Sequence, residues 1–106
     1  MHARVSRYDV APENIDTAIE GFRKSGEELH ELEGLIGGYM LVDEDTGQTM
    51  TITLWDNHSA MANSGTRAAS LRQAALREAS GSVVSVEEYQ VAVEFGGHTR
   101  DLRDDE

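Results

Sequence analysis

Cysteine is absent from the 106-residue chain. That excludes a disulfide framework, a thiol nucleophile and any thiolate metal site. Proline occurs once, at Pro12, in a place where a first helical turn tolerates it because the missing N–H would have no partner there. Basic residues are scarce: 9 Lys and Arg stand against 20 Asp and Glu, for a net charge of −11. Binding a phosphate backbone needs clustered Lys and Arg, so nucleic acid is not an expected partner. An anionic membrane surface is disfavoured for the same reason. No segment approaches the roughly 20 consecutive apolar residues that span a bilayer, and the opening MHARVSRYDV lacks the apolar core of a signal peptide. A single-domain, soluble, cytoplasmic protein is the expectation.

What the chain does have is concentrated in Gln48–Met61, QTMTITLWDNHSAM. Side chains alternate along a strand, so Thr49, Thr51, Thr53 and Trp55 share one face and Met50, Ile52 and Leu54 the other. Neither face is charged before Asp56. A strand of this kind is covered on both sides, and a chain this short supplies cover for only one. The second cover is expected from another copy, which predicts a homodimer with a pocket near Trp55.

Along the whole chain the order reads strand, helix, strand, strand, helix, strand. Ala3 to Val10 is the first strand. Ile15, Ala18, Ile19, Phe22, Gly26 and Leu29 then follow helical i, i+3, i+4, i+7 spacing, Leu32 extends the stripe, and Gly34 is a candidate stop. Gly21 and Gly26 each weaken that helix by ~1 kcal/mol relative to Ala, so one of them marks a close contact or a bend. Leu35 to Val42 is the second strand, joined to Thr49–Trp55 through the turn Asp43–Gly47, with Gly47 suited to positive φ. Asp56, Asn57 or Ser59 caps the second helix, which is expected to break near Asn63-Ser64-Gly65 and resume from Arg67 to Ala79. Val83 to Phe95 is the last strand. Residues 1–95 thus make one domain, and 96–106, almost without apolar content, read as an acidic solvated tail. A βαββαβ order builds an α+β, ferredoxin-like split βαβ sheet with both helices on one face. Val5, Ile52 or Leu54, Tyr89 and Val91 would lie on the face left open.

The stretches ELEGLIGGYMLVDEDTGQTMTITLWDNHSAM and VVSVEEYQVA, with this order and length, resemble the antibiotic biosynthesis monooxygenase superfamily of dimeric α+β barrels. The resemblance runs from about Ala3 to Val93 and is carried by the Leu-Glu-Gly-x-x-Gly-Gly run from Leu32 to Gly38 and by the tryptophan closing strand three. It implies the fold, a homodimer, and a small aromatic ligand. For one branch it also implies cofactor-independent oxidation of a quinol or polyketide-like substrate. Haem-degrading members use an asparagine on strand one, a tryptophan closing strand three and a histidine on the second helix. Trp55 matches; Ser6 and Gly65 stand at the other two positions. The resemblance therefore implies no haem and no other cofactor.

Among individual residues, Trp55 is either one wall of a pocket for a planar ring or a packing residue where strand meets helix. Tyr8, Tyr39 and Phe22 either complete that wall or belong to the core or the dimer interface. His58, in Trp-Asp-Asn-His, titrates near neutrality and suits a catalytic base at the pocket mouth. Its plainer role is a solvated residue at a helix start. Arg67 and Arg72 either hold a phenolate or carboxylate or bridge surface Glu residues. Glu27-x-x-His30 has the spacing of one half of a di-iron site, but a second copy is lacking and a solvated helix face accounts for it. His2, His30, His58 and His98 form no further close pair in sequence, so no metal site is expected. Two functional classes stay open: a cofactor-independent monooxygenase, and a non-catalytic dimer that binds a small molecule or assists a pathway.

Overall fold

The computed structural model describes residues 1–96; apart from Gly96, the expected tail 96–106 lies outside the described residues. Four strands, β1 (His2–Asp9), β2 (Leu35–Val42), β3 (Gln48–Trp55) and β4 (Ser82–Gln90), form one sheet in the order β2-β3-β1-β4, every neighbouring pair antiparallel. Helices α1 (Ile15–Leu29), α2 (His58–Asn63) and α3 (Gly65–Arg77) cover one face. This is the ferredoxin-like arrangement expected from the element order.

The pairing of His2 with Trp55, Arg4 with Thr53, Ser6 with Thr51 and Tyr8 with Thr49 sets the faces. Those eight residues look toward the helices, while Ala3, Val5 and Arg7 look the other way with Leu54, Ile52 and Met50. The threonine face of β3 is therefore the covered one. Below it, Tyr8, Val10, Ile15, Ala18, Leu76 and Ala79 form the core, with Ile19, Phe22 and Met40 packed against it.

Local chemistry explains the boundaries. The carboxamide oxygen of Asn57 accepts from the Ala60 N–H at 2.8 Å, so Asn57 is the cap of α2 among the three candidates. The break between α2 and α3 falls at Ser64, inside the expected Asn63–Gly65 stretch. Gly47 takes φ +81, and a Cβ there would collide with the Val10 carbonyl, so the hairpin turn needs glycine on both counts. Gly21 is the close contact: a side chain there would run into the Ala75 carbonyl of α3, whereas Gly26 has open space. One turn on from Gly21, Ser25 Oγ donates to the Leu71 carbonyl at 3.0 Å, tying the two helices.

Two boundaries differ from the sequence expectation by three residues or more, the others by at most two. Helix α1 ends at Leu29, not Leu32, because the chain tightens there: the Glu31 and Leu32 N–H groups bond the Glu28 and Leu29 carbonyls, the i→i−3 pattern of a tightened last turn. Strand β4 ends at Gln90, not Phe95. Its partner β1 begins at His2, and the last rung is the Val91 N–H to the Met1 carbonyl at 2.9 Å; beyond it there is no strand to pair with, and Val93 and Phe95 are exposed.

Candidate functional site

A cavity of about 410 Å³ lies between the covered sheet face and helices α1 and α3. Its volume is in the range of small-molecule sites. Phe22, Leu29, Met40 and Leu71 give it an apolar body, and Thr51 and Thr53 place hydroxyls on its sheet side. Polar groups along its sheet side are already engaged: Tyr8 Oη shares a 2.7 Å hydrogen bond with Thr51 Oγ1, and the Trp55 indole N–H donates to Thr53 Oγ1 at 3.0 Å. Tyr8 and Phe22 pack ring to ring at 4.9 Å.

Of the sequence candidates, Trp55, Tyr8, Tyr39 and Phe22 all border this cavity, each in a different way. Trp55 is 0 % exposed and borders the cavity without a free surface. Tyr8 is also buried, so Phe22 is the aromatic ring an occupant would meet first. Tyr39 pairs with Ile52, which puts its ring on the opposite face of the sheet, where it is 63 % exposed. His58 and Arg67 are not among the lining residues. His58 is exposed at the start of α2, its ring edge-on to His2 at 5.6 Å. Sequence spacing did not show this ring contact, since 56 residues separate two rings that β1 and the β3–α2 corner bring together. Among the described residues no group of three or more His, Cys, Asp or Glu could hold a metal ion. Arg67 donates to Glu28 at 2.7 Å on the surface, whereas Arg72, from the same helix, lines the cavity.

The residue that the sequence did not single out is Arg4. Only 4 % exposed, its guanidinium lies 5.7 Å from the Trp55 ring centroid. It donates through Nε and Nη2 to Glu88 Oε2 at 3.2 and 3.1 Å, through Nη1 to Ser64 Oγ at 3.1 Å, and through Nη2 to the Met61 carbonyl at 2.7 Å. The side chain thus fastens β4 and the α2–α3 junction to the central strand. Ser64, at the break between α2 and α3, is buried and held by this bond. Gly65 lies beside the guanidinium, where a Cβ would stand 4.0 Å from Nη2, in ordinary contact. The alternation of β1 hid Arg4, because its partners lie 57 to 84 residues away.

No sequence family and no curated protein matches the chain. Solved structures do. A Deinococcus radiodurans protein described as an antibiotic biosynthesis monooxygenase superposes with a TM-score of 0.71 at 13% identity, covering 91% of this chain and 97% of that one. SnoaB, a cofactor-independent oxygenase from Streptomyces nogalater, gives 0.70 at 17%, covering 89% and 95%. MhuD, a heme-degrader from Mycobacterium tuberculosis, gives 0.72 at 15%, covering 91% and 100%. The chain has the fold of the antibiotic biosynthesis monooxygenases.

Proposed function

We propose that the protein is a cofactor-independent monooxygenase acting on an aromatic quinol or polyketide-like small molecule. One observation carries the reading: an apolar, aromatic-backed cavity of about 410 Å³ in a fold shared with a cofactor-independent oxygenase. For an anthrone, the reaction turns a ring CH₂ into a carbonyl. One atom of dioxygen stays on carbon and the other leaves as water with the two hydrogens, so no external reductant is needed. The protein's part is to hold the ring flat against Phe22 and Met40, to exclude water and to orient the reacting carbon, which are positioning and desolvation effects. His58 has no role in this reading, because its ring stands outside the cavity. Haem does not fit the pattern implied by the resemblance. Ser6 and Gly65 occupy the asparagine and histidine positions, and beside Gly65 lies the Arg4 guanidinium, which is no axial ligand.

The working unit in this proposal is a cytoplasmic homodimer. No helix among the described residues is long and apolar enough to cross a membrane. The open sheet face carries Val5, Met50, Ile52 and Leu54, together with the exposed Tyr39, Leu41 and Tyr89, a patch of the kind that isologous pairing buries.

A second reading, a non-catalytic small-molecule binder, is favoured by the lining itself, which includes no carboxylate to serve as a base. Oxygen consumption with a panel of anthrones and naphthoquinols separates the two. Turnover above the uncatalysed rate, lost when Phe22→Ala or Leu71→Trp alters the cavity, supports the monooxygenase. Saturable binding of the same compounds without oxygen uptake supports the binder.

A further inference from the structure

The charge of the cavity is opposite to that of the chain. In a protein of net charge −11, the lining includes Arg4, Arg23, Arg72 and His30 and not one Asp or Glu. The three arginines differ in how far they are committed. Arg4 is engaged by Glu88, Ser64 and the Met61 carbonyl, and Arg23 donates to Glu20 at 3.0 Å. Arg72 is half-buried and has neither an ion-pair nor a hydrogen-bond partner among the described residues. Glu20 and Glu28 of α1 are spent on Arg23 and Arg67, and no acidic side chain among the described residues pairs with Arg72. A partly desolvated guanidinium beside Phe22, Leu29 and Leu71 loses hydration without gaining an anion. Its fork of donors is shaped for a two-oxygen acceptor.

We propose that this cavity takes an aromatic carboxylate, and that Arg72 is the residue that selects for the negative charge. The ring lies against Phe22 and Met40 and the carboxylate accepts from Arg72 in a bidentate pair, because Arg72 is the one lining arginine without a partner among the described residues. The inference rests on the reading of this cavity as a small-molecule site and names the class of molecule.

Isothermal titration calorimetry of the full chain with 2-naphthoate and its neutral isostere 2-naphthamide tests it. The carboxylate should bind at least about tenfold more tightly, the value of one charge-assisted hydrogen bond or more. Arg72→Gln should reduce that preference to about twofold or less. Arg72→Lys, which keeps the charge without the fork, should fall between. Arg77→Gln, on the exposed last turn of the same helix, should leave the preference intact, with circular dichroism confirming that every variant is folded. Equal binding of the two compounds by the parent chain, or a preference that survives Arg72→Gln, overturns the selection by charge and leaves the small-molecule site standing. Binding of neither compound overturns both.

Discussion

Arg4 and Glu88 form a pair whose two halves should not be equally costly to remove. The arginine side chain is 4 % exposed and the glutamate 42 %. Replacing Glu88 with Ala leaves a guanidinium enclosed by β1, β4 and the α2–α3 junction with no counter-charge. Breaking a buried pair from that side costs on the order of 3–5 kcal/mol, and partial access of water at the glutamate end puts the expectation at the lower limit, about 3 kcal/mol. Replacing Arg4 with Met strands nothing comparable. Glu88 rehydrates, and the Met61 carbonyl keeps the Ser64 hydroxyl, which donates to it at 2.7 Å. The loss is then the bonds to Ser64 and Met61, offset by the recovered desolvation of the cation, about 1–2 kcal/mol. The double variant should resemble Arg4→Met alone, because Glu88 without Arg4 is a surface residue. Urea unfolding at one fixed protein concentration, needed because an assembling chain is stabilised by mass action, would measure all three. Arg4→Met costing more than Glu88→Ala, or Glu88→Ala costing less than about 0.5 kcal/mol, would refute the argument that burial asymmetry governs this pair.

Gly21→Ala should destabilise by about 1–3 kcal/mol, since the new methyl meets the Ala75 carbonyl and must push α1 off α3, while Gly26→Ala in open space should stabilise by about 0.5–1 kcal/mol through helix propensity; thermal melts of the two decide whether interhelix contact or propensity governs α1. Sedimentation equilibrium at micromolar concentration should give twice the chain mass, and Leu41→Lys on the open sheet face should shift it toward one chain; a parent mass of one chain removes the dimer. The Glu87 carboxylate, by accepting a hydrogen bond from the Tyr89 phenol and by its charge, holds that phenol above its ordinary value near 10.0. Absorbance titration at 295 nm should therefore show Glu87→Gln ionising Tyr89 at lower pH, and any stability linked to this phenol is present below its ordinary value and lost as pH rises through the raised one. Haem titrated in the presence of a reductant should give no saturable one-per-chain Soret complex and no ring-opened product.

The elements were legible wherever a short-range pattern decided them. The Thr49–Trp55 alternation, the turn closed by Gly47, the Asn57 cap and the break at Asn63–Gly65 all follow from residues within a few positions of one another. The cavity was legible as a place, because a tryptophan closing a strand must sit under the next helix. Its chemistry was not. Arg67 and Arg72 read alike in sequence, yet five residues turn a helix by about 140°, so one reaches Glu28 on the surface and the other the cavity. Arg4 gave no signal because its meaning depends on the register of β1 against β4. Tyr39 stayed open between wall and interface for a related reason: the register shift between Leu35 and Gly37 fixes which face each β2 residue takes, and no local pattern announces a bulge.

The position of β1 also sets the order in which the protein can be built. It precedes its partners in the chain but lies inside the sheet, between β3 and β4, with none of its ladder partners before Gln48 and the last at Gln90. During translation its backbone donors and acceptors wait for the second half of the chain, several seconds at typical elongation rates of about 5–20 residues per second. The α1 stripe can bury nothing until β1 is flanked. Nascent chains stopped before β4 therefore carry an unpaired edge on what becomes the innermost strand, the state from which strands pair with the wrong neighbour. Pairing of β4 with β1, rather than emergence of the first half, is the event that commits this fold.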